Sequence, residues 1–152
     1  MEYKILREPF VQKKIVSYLK KNGWSSNLKY KTLKEKGVDI KVKNNKFSRY
    51  WLIEVKGDPS KEVKSPTGIR SSSFNSALGQ IITRMHTNRK RSYKYGYKYG
   101  IGFPQSFKKQ VFKKLPYDVC DKLNLYLFFV DGTGEVEEFD HRKMKKIQNK
   151  PK

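Results

Sequence analysis

Three charged residues of types that could do chemistry lie close together in this sequence: Asp39 in "GVDI", and Glu54 and Lys56 in "YWLIEVKG". Residues i and i+2 of a strand face the same side, so Glu54 and Lys56 would share a face. A hairpin between the two segments would bring the Asp39 carboxylate beside that of Glu54. Two close carboxylates repel each other unless a cation lies between them, and hard oxygen ligands suit Mg²⁺ or Mn²⁺. With a lysine that can orient or deprotonate water, this set predicts phosphodiester hydrolysis.

Ordinary structural roles are available for the same residues. The pattern Glu-x-Lys also begins at Glu2 and at Glu62, so it arises easily in a lysine-rich chain. Asp39 could be a turn residue, and Glu54 and Lys56 could form a cross-strand ion pair on a solvated face. However, only the copy at Glu54 follows a strand-like apolar run and has an acidic strand ahead of it. That context favours the catalytic interpretation.

The hydrophobic pattern predicts the elements that must position these residues. An amphipathic helix is expected over 8–24, with Pro9 in its first turn and Gly23 at its end. The further expectations are strands at 27–33, 37–44 and 48–57, a loop over 57–73, a helix over 74–88, a strand at 97–104, a helix over 106–115, and strands at 123–131 and 131–139. This order predicts an α/β sandwich with a mixed central sheet and helices on both faces. We expect one domain over 1–140 and a basic C-terminal tail over 141–152.

Composition indicates the class of protein and its partner. The chain has 152 residues and a formal net charge of +21, and 36% of its residues are hydrophobic. A charge of that size is tolerated most readily when the partner is a polyanion, so nucleic acid is expected. The single cysteine, Cys120, excludes a disulfide within the chain and a cysteine zinc site, which suits a reducing compartment. No apolar run is long enough to span a membrane. We therefore expect an intracellular, cytoplasmic protein, with a nucleoid, phage or mobile-element context left open.

The positive charge is concentrated in the middle of the chain. No acidic residue occurs between Glu62 and Asp118, a stretch that holds twelve Lys and Arg residues. Basic residues alternate with tyrosines over 86–100, so cations could meet phosphates while aromatic rings stack on bases. Each feature has an ordinary alternative. The basic residues could reflect a general lysine bias, and the alternating tyrosines could form one buried face of a strand. The candidate nucleic-acid contacts are Arg70, Arg84, Arg89, Lys90, Arg91 and Lys94.

The motif formed by "GVDI" and, fifteen residues after its Asp, "EVK" resembles that of the PD-(D/E)xK nuclease superfamily. That superfamily has the restriction-endonuclease-like fold, and the order of predicted elements is similar along most of the chain. The Mrr-like, Holliday-junction-resolvase-like and VRR-NUC-like branches are the most similar. The resemblance implies that Asp39 and Glu54 bind the metal, that the carbonyl of Val55 adds a ligand, and that Lys56 is the catalytic lysine.

The resemblance also implies roles for two further residues. Some branches place a glutamate of the first helix near the metal, and Glu8 is the candidate here. Several place a glutamine on the helix after the lysine strand, where this chain has Gln80. Glu8 could instead simply favour the helix dipole, and Gln80 could be a surface residue. The proline that often precedes the motif's Asp is replaced by Val38.

Together these observations predict a Mg²⁺- or Mn²⁺-dependent endonuclease that acts on DNA. RNA stays an alternative substrate, and a homodimer would suit the cutting of two strands. Two other functions remain open. The same fold could bind nucleic acid without cutting it, or the chain could be a basic structural protein of a nucleic-acid assembly.

Overall fold

The computed structural model describes residues 4–24, 29–30, 39–44, 49–87 and 97–149. The helices are α1 (Glu8–Lys21), α2 (Pro66–Thr87), α3 (Lys108–Lys114), α4 (Tyr117–Leu123) and α5 (His141–Gln148). The strands are β1 (Lys29–Tyr30), β2 (Ile40–Asn44), β3 (Arg49–Val55), β4 (Tyr97–Pro104), β5 (Leu125–Val130) and β6 (Val136–Phe139). Within the described part of the chain, no helix combines the length and apolar character that crossing a bilayer requires.

The strands form one mixed sheet in the spatial order β1-β2-β3-β4-β5-β6. The first three strands pair antiparallel, β3, β4 and β5 pair parallel, and β6 returns antiparallel to β5. The predicted hairpin between β2 and β3 is confirmed, with Ile40 opposite Ile53. The sheet therefore places the end of β3 between an antiparallel and a parallel neighbour.

Two hydrophobic cores lie on opposite faces of the sheet. On one face, α1 packs its buried Val11, Ile15 and Leu19 against alternate residues of β3, such as Ile53 and Val55. On the other face, α2 to α5 cover a larger core built around the phenylalanines and leucines of β4 and β5. Because helices cover both faces, the predicted three-layer α/β sandwich is confirmed.

Helix α2 begins at Pro66, so the expected loop over 57–73 is wrong for its last eight residues. Small residues and Gly68 favour a loop, but a side-chain cap and a proline fix the start of the helix. The Ser65 hydroxyl oxygen accepts a hydrogen bond from the Gly68 N–H at 3.3 Å, and Pro66 occupies the first helical position. The Ser-Pro pair was the sequence signal for this helix start.

The C-terminal segment is a helix of the domain, so the expected tail over 141–152 is wrong for 141–148. The Asp140 side chain caps α5 by accepting from the Lys143 N–H at 2.8 Å. Met144 is fully buried, with its sulfur 3.4 Å from that of Cys120 on α4, a helix that the sequence did not predict. Burial of one apolar face holds α5 against the domain although its other face is strongly basic.

Candidate active site

Asp39 and Glu54 face each other at the end of the β2–β3 hairpin. The ladder pairs Ile40 with Ile53, and continuing it by one residue places Asp39 opposite Glu54. Ile40 and Ile53 point into the α1 core, so the two acids point to the opposite face, which α2 covers. The spacing of the sequence therefore brings both carboxylates together as predicted from strand alternation.

The position of Asp39 is held by contacts from two elements. Its carboxylate Oδ2 accepts a hydrogen bond from the Val55 N–H at 2.7 Å. Its backbone carbonyl accepts from the side-chain amide of Gln12, on α1, at 2.8 Å. The backbone and one carboxylate oxygen are thus fixed, which sets the direction of the other oxygen.

Glu54 is a buried acid, with 3% of the residue exposed. Burial first, and then the charge of Asp39 and a hydrogen bond to it, raise the pKa of its carboxyl from 4.5 to about 7. The Arg84 guanidinium opposes the shift, with its Nε 3.5 Å from Glu54 Oε1. In this arrangement the protein disfavours the second negative charge, which is the electrostatic condition for attracting a cation.

Lys56 and the carbonyl of Val55 complete the geometry at the end of β3. The Lys56 N–H donates to the Gly102 carbonyl on β4 at 2.9 Å. Since successive residues of a strand bond to opposite sides, the N–H and C=O of Val55 both point toward β2, where Asp39 lies. Lys56 is half-buried and shares the face of Glu54.

Gly57 lies two residues beyond the end of β3, where the chain meets the start of α1. A Cβ at this position would collide with the Glu8 backbone nitrogen and lie 2.9 Å from the carbonyl carbon of Arg7. This close approach brings the backbone of Glu8 next to the residue that follows Lys56, and Glu8 itself is half-buried as the first residue of α1. Its role as a metal ligand stays a prediction.

The structure gives less support to a role for Gln80 and to further metal ligands in this site. Gln80 is exposed, one helical turn before Arg84 on α2. Among the described residues, no group of three or more His, Cys, Asp and Glu side chains converges as a metal site would require. The two carboxylates are therefore the acidic core of the site, and the catalytic role of Gln80 stays a prediction.

The predicted basic contacts fall into three groups. Arg84 lies in the site, where it pairs with Glu54. Arg70 lies elsewhere, with its Nε 3.6 Å from the carboxylate of Asp58. The remaining candidates lie outside the described residues: Arg89, Lys90, Arg91 and Lys94.

Sequence reasoning missed Gln12 as a residue of this site. The two polar residues that the described part of the chain buries are Gln12 and Glu54, and both lie here. Gln12 follows Val11 on the buried face of α1, a position where an apolar side chain is the norm. A polar residue on the apolar face of a helix was the available signal, because such a group must find a buried hydrogen-bond partner.

Comparison with known proteins supports the fold. No protein-family model matches the chain, and no curated protein matches it. A structure described as an XisH family protein from Nostoc punctiforme is similar, with 20% sequence identity, a TM-score of 0.53, and coverage of 84% of this chain and 96% of that one. A structure described as a fdxN element excision controlling factor protein from Anabaena variabilis has 20% identity, a TM-score of 0.54, and coverage of 85% and 96%. At this level of identity, the similarity shows that this chain has the fold of those two proteins.

Proposed function

We propose that this protein is a metal-dependent endonuclease of the PD-(D/E)xK type that hydrolyses phosphodiester bonds in DNA. The observation that carries the proposal is the pairing of Asp39 with the buried Glu54 at a strand end, with Lys56 on the same face. A buried acid beside a second carboxylate destabilises a fold unless a partner compensates its charge. Metal binding is a function that would require such a pair.

The residues present fit one hard divalent cation. Glu54 Oε1 is buried, and the Arg84 Nε lies 3.5 Å from it, a distance longer than the hydrogen bond that a buried oxygen normally accepts. Asp39, Glu54 and the Val55 carbonyl supply oxygen donors of the kind that Mg²⁺ and Mn²⁺ prefer. When bound, such an ion would activate water and offset charge that develops on the phosphate.

The other side chains would act on the water and the phosphate. Lys56 shares the face of Glu54 and carries a proton-bearing amine, so it would orient the attacking water and offset charge on the transferring phosphate. Arg84 holds Glu54 from α2 through its Nε edge. The positive charge of this guanidinium would attract the nearest backbone phosphate of the substrate.

DNA is the proposed substrate for two reasons. The net charge of +21 gives the surface affinity for a polyanion. One of the two structural neighbours is named for control of the excision of an element, and excision is a reaction of DNA.

A cleavage assay on a panel of substrates tests the proposal. Supercoiled plasmid, single-stranded DNA, a four-way junction and structured RNA are each incubated with Mg²⁺, Mn²⁺ or EDTA, with wild type and with Asp39→Asn. We expect cutting that requires the metal and is lost in Asp39→Asn. Tight binding of these substrates with no cutting under any metal condition would instead support a nucleic-acid-binding module with the same fold.

A further inference from the structure

A cavity of about 160 Å³ lies at the carboxyl ends of β3, β4 and β5, and its lining includes Asp58, which follows Lys56 by two residues. Its walls come from the N-terminal segment before α1, the loop after β3, the start of α2, the turn after β4 and the turn after β5. Ligands of open α/β sheets commonly bind outside the carboxyl ends of the strands. The position is therefore one where a ligand site is expected, and the residues that line it indicate its chemistry.

The carboxylate of Asp58 lines this cavity, with 6% of its side chain exposed. Its Oδ2 accepts from the Leu6 N–H at 2.9 Å, and its Oδ1 accepts from the Ser106 hydroxyl. Oδ1 also faces Arg70 Nε at 3.6 Å. Both oxygens thus contact donors of the protein. Asp58 therefore connects the segments that carry these donors, and its charge is largely offset.

The cavity has an excess of positive charge. The Nε of Arg70 lies 3.6 Å from Asp58 Oδ1, and Arg70 is one of the residues that line the cavity. Lys4 and Lys61, both exposed, line the cavity from two other segments. The 22-residue helix α2 begins at its rim with Pro66, and the positive end of the helix dipole favours an anion there.

We propose that this cavity binds a phosphate group of a nucleic acid. Three cations from three segments line a space that holds one already paired carboxylate, and a guanidinium among them suits a tetrahedral oxyanion. Asp58 follows Lys56 by two residues, so the bound phosphate flanks the bond that Lys56 would act on. Phosphate binding here requires none of Asp39, Glu54 and Lys56. The group is either an internal phosphodiester or a terminal phosphomonoester.

The first test measures DNA affinity by fluorescence anisotropy in EDTA, so that no cleavage is needed and a failed nuclease assay leaves this test intact. We expect Arg70→Gln to weaken binding about tenfold, because a charge-assisted contact is lost, and to reduce the salt slope by about one. Arg142→Gln, an exposed arginine on α5, removes the same charge far from the cavity and should change affinity by less than about twofold. Equal effects of the two substitutions would overturn the proposal.

Three further measurements guard against misfolding of Arg70→Gln and identify the phosphate. Lys61→Gln changes an exposed side chain and should weaken binding about threefold, and wild-type affinity in this variant would count against the site. Inorganic phosphate should raise the Tm of wild type above that in chloride of equal ionic strength, and this gain should vanish in Arg70→Gln. A persistent gain in that variant would contradict the assignment.

Oligonucleotides with a 5′-phosphate or a 5′-hydroxyl distinguish a terminal phosphomonoester from an internal phosphodiester. Tighter binding of the 5′-phosphate oligonucleotide that depends on Arg70 indicates the monoester, and equal binding of the two indicates the diester.

Discussion

The substitution Glu54→Gln should make the metal-free protein more stable at about pH 8. Glu54 is 3% exposed and lies opposite Asp39, and within the described residues the Arg84 guanidinium pairs with it at 3.5 Å. Glutamine keeps the shape of the side chain and removes its charge. If the site exists to hold a metal ion, the charge is a burden on the fold whenever the ion is absent.

The magnitude follows from the pKa of Glu54, which burial and the neighbouring Asp39 raise from 4.5 to about 7. Since the folded-state pKa lies above the unfolded value, the folded protein is least affected below about pH 4.5 and loses stability as pH rises to 7. Above that pH the full difference corresponds to about 3 kcal/mol. The stabilisation by Glu54→Gln should therefore be about 3 kcal/mol at about pH 8 and under about 1 kcal/mol at pH 5.

Urea denaturation in EDTA at the two pH values measures this effect. Glu62→Gln is the matched control, because Glu62 is exposed in the loop before α2 and belongs to the second Glu-x-Lys pattern. It should change the free energy of unfolding by less than about 0.5 kcal/mol at either pH. Saturating Mg²⁺ should then stabilise the wild type by mass action and leave Glu54→Gln unchanged.

The opposite sign would refute this reasoning. If Glu54 were the structural partner of Arg84 or Lys56, its neutralisation would leave a cation unpaired and lower stability by about 3 kcal/mol or more. A loss of stability at about pH 8 would therefore support the ion-pair alternative. It would remove the main physical reason for interpreting the two acids as a metal site.

Three further substitutions test the elements that build the site and the domain, each by urea denaturation. Gln12→Leu removes the amide that holds the Asp39 carbonyl, and should lower stability by about 1–2 kcal/mol and Mg²⁺ affinity, measured by calorimetry, about tenfold. Gly57→Ala should destabilise by about 2 kcal/mol or more, because its methyl group meets the α1 backbone. Its control, Gly79→Ala on the open face of α2, should stabilise by about 0.5–1 kcal/mol. Met144→Ala should lower stability by about 2–5 kcal/mol, since Met144 is fully buried.

Each of these expectations has a contrary result. Unchanged Mg²⁺ affinity in the Gln12 variant would show that Asp39 is positioned without it. A tolerated alanine at Gly57 would mean that the β3 end and α1 do not need their close approach. An unchanged free energy of unfolding in Met144→Ala would show that the packing of α5 adds little to the stability of the domain.

The part of the fold that the sequence predicts well is governed by local patterns. Alternation of apolar residues determined β2 and β3, and turn composition predicted the hairpin between them. The hairpin alone brings Asp39 opposite Glu54, because the positions of the two residues depend only on the strand period and on the register of the two strands. Lys56 follows from the same period.

The parts that local patterns missed depend on tertiary contacts or on short signals. Helix α2 starts in a segment rich in serine, where the Ser65 cap outweighs weak helix propensity. Asp58 accepts hydrogen bonds from Leu6 and Ser106 only because the chain before α1 and the turn after β4 meet at the end of β3. Gln12 likewise reaches Asp39 only when α1 packs on the sheet. These contacts join segments that are distant in the sequence, so no spacing of residues predicts them.

The most direct test of the central claim compares Lys56→Ala with Lys64→Ala in a plasmid-nicking assay under Mg²⁺. Lys64 is the lysine of the Glu-x-Lys copy in the exposed loop, so it controls for the loss of one positive charge. We predict that Lys56→Ala loses metal-dependent cutting while its affinity for DNA falls no further than that of Lys64→Ala. Equal cutting by the two variants, or no cutting by wild type on any substrate with Mg²⁺ or Mn²⁺, would contradict the account.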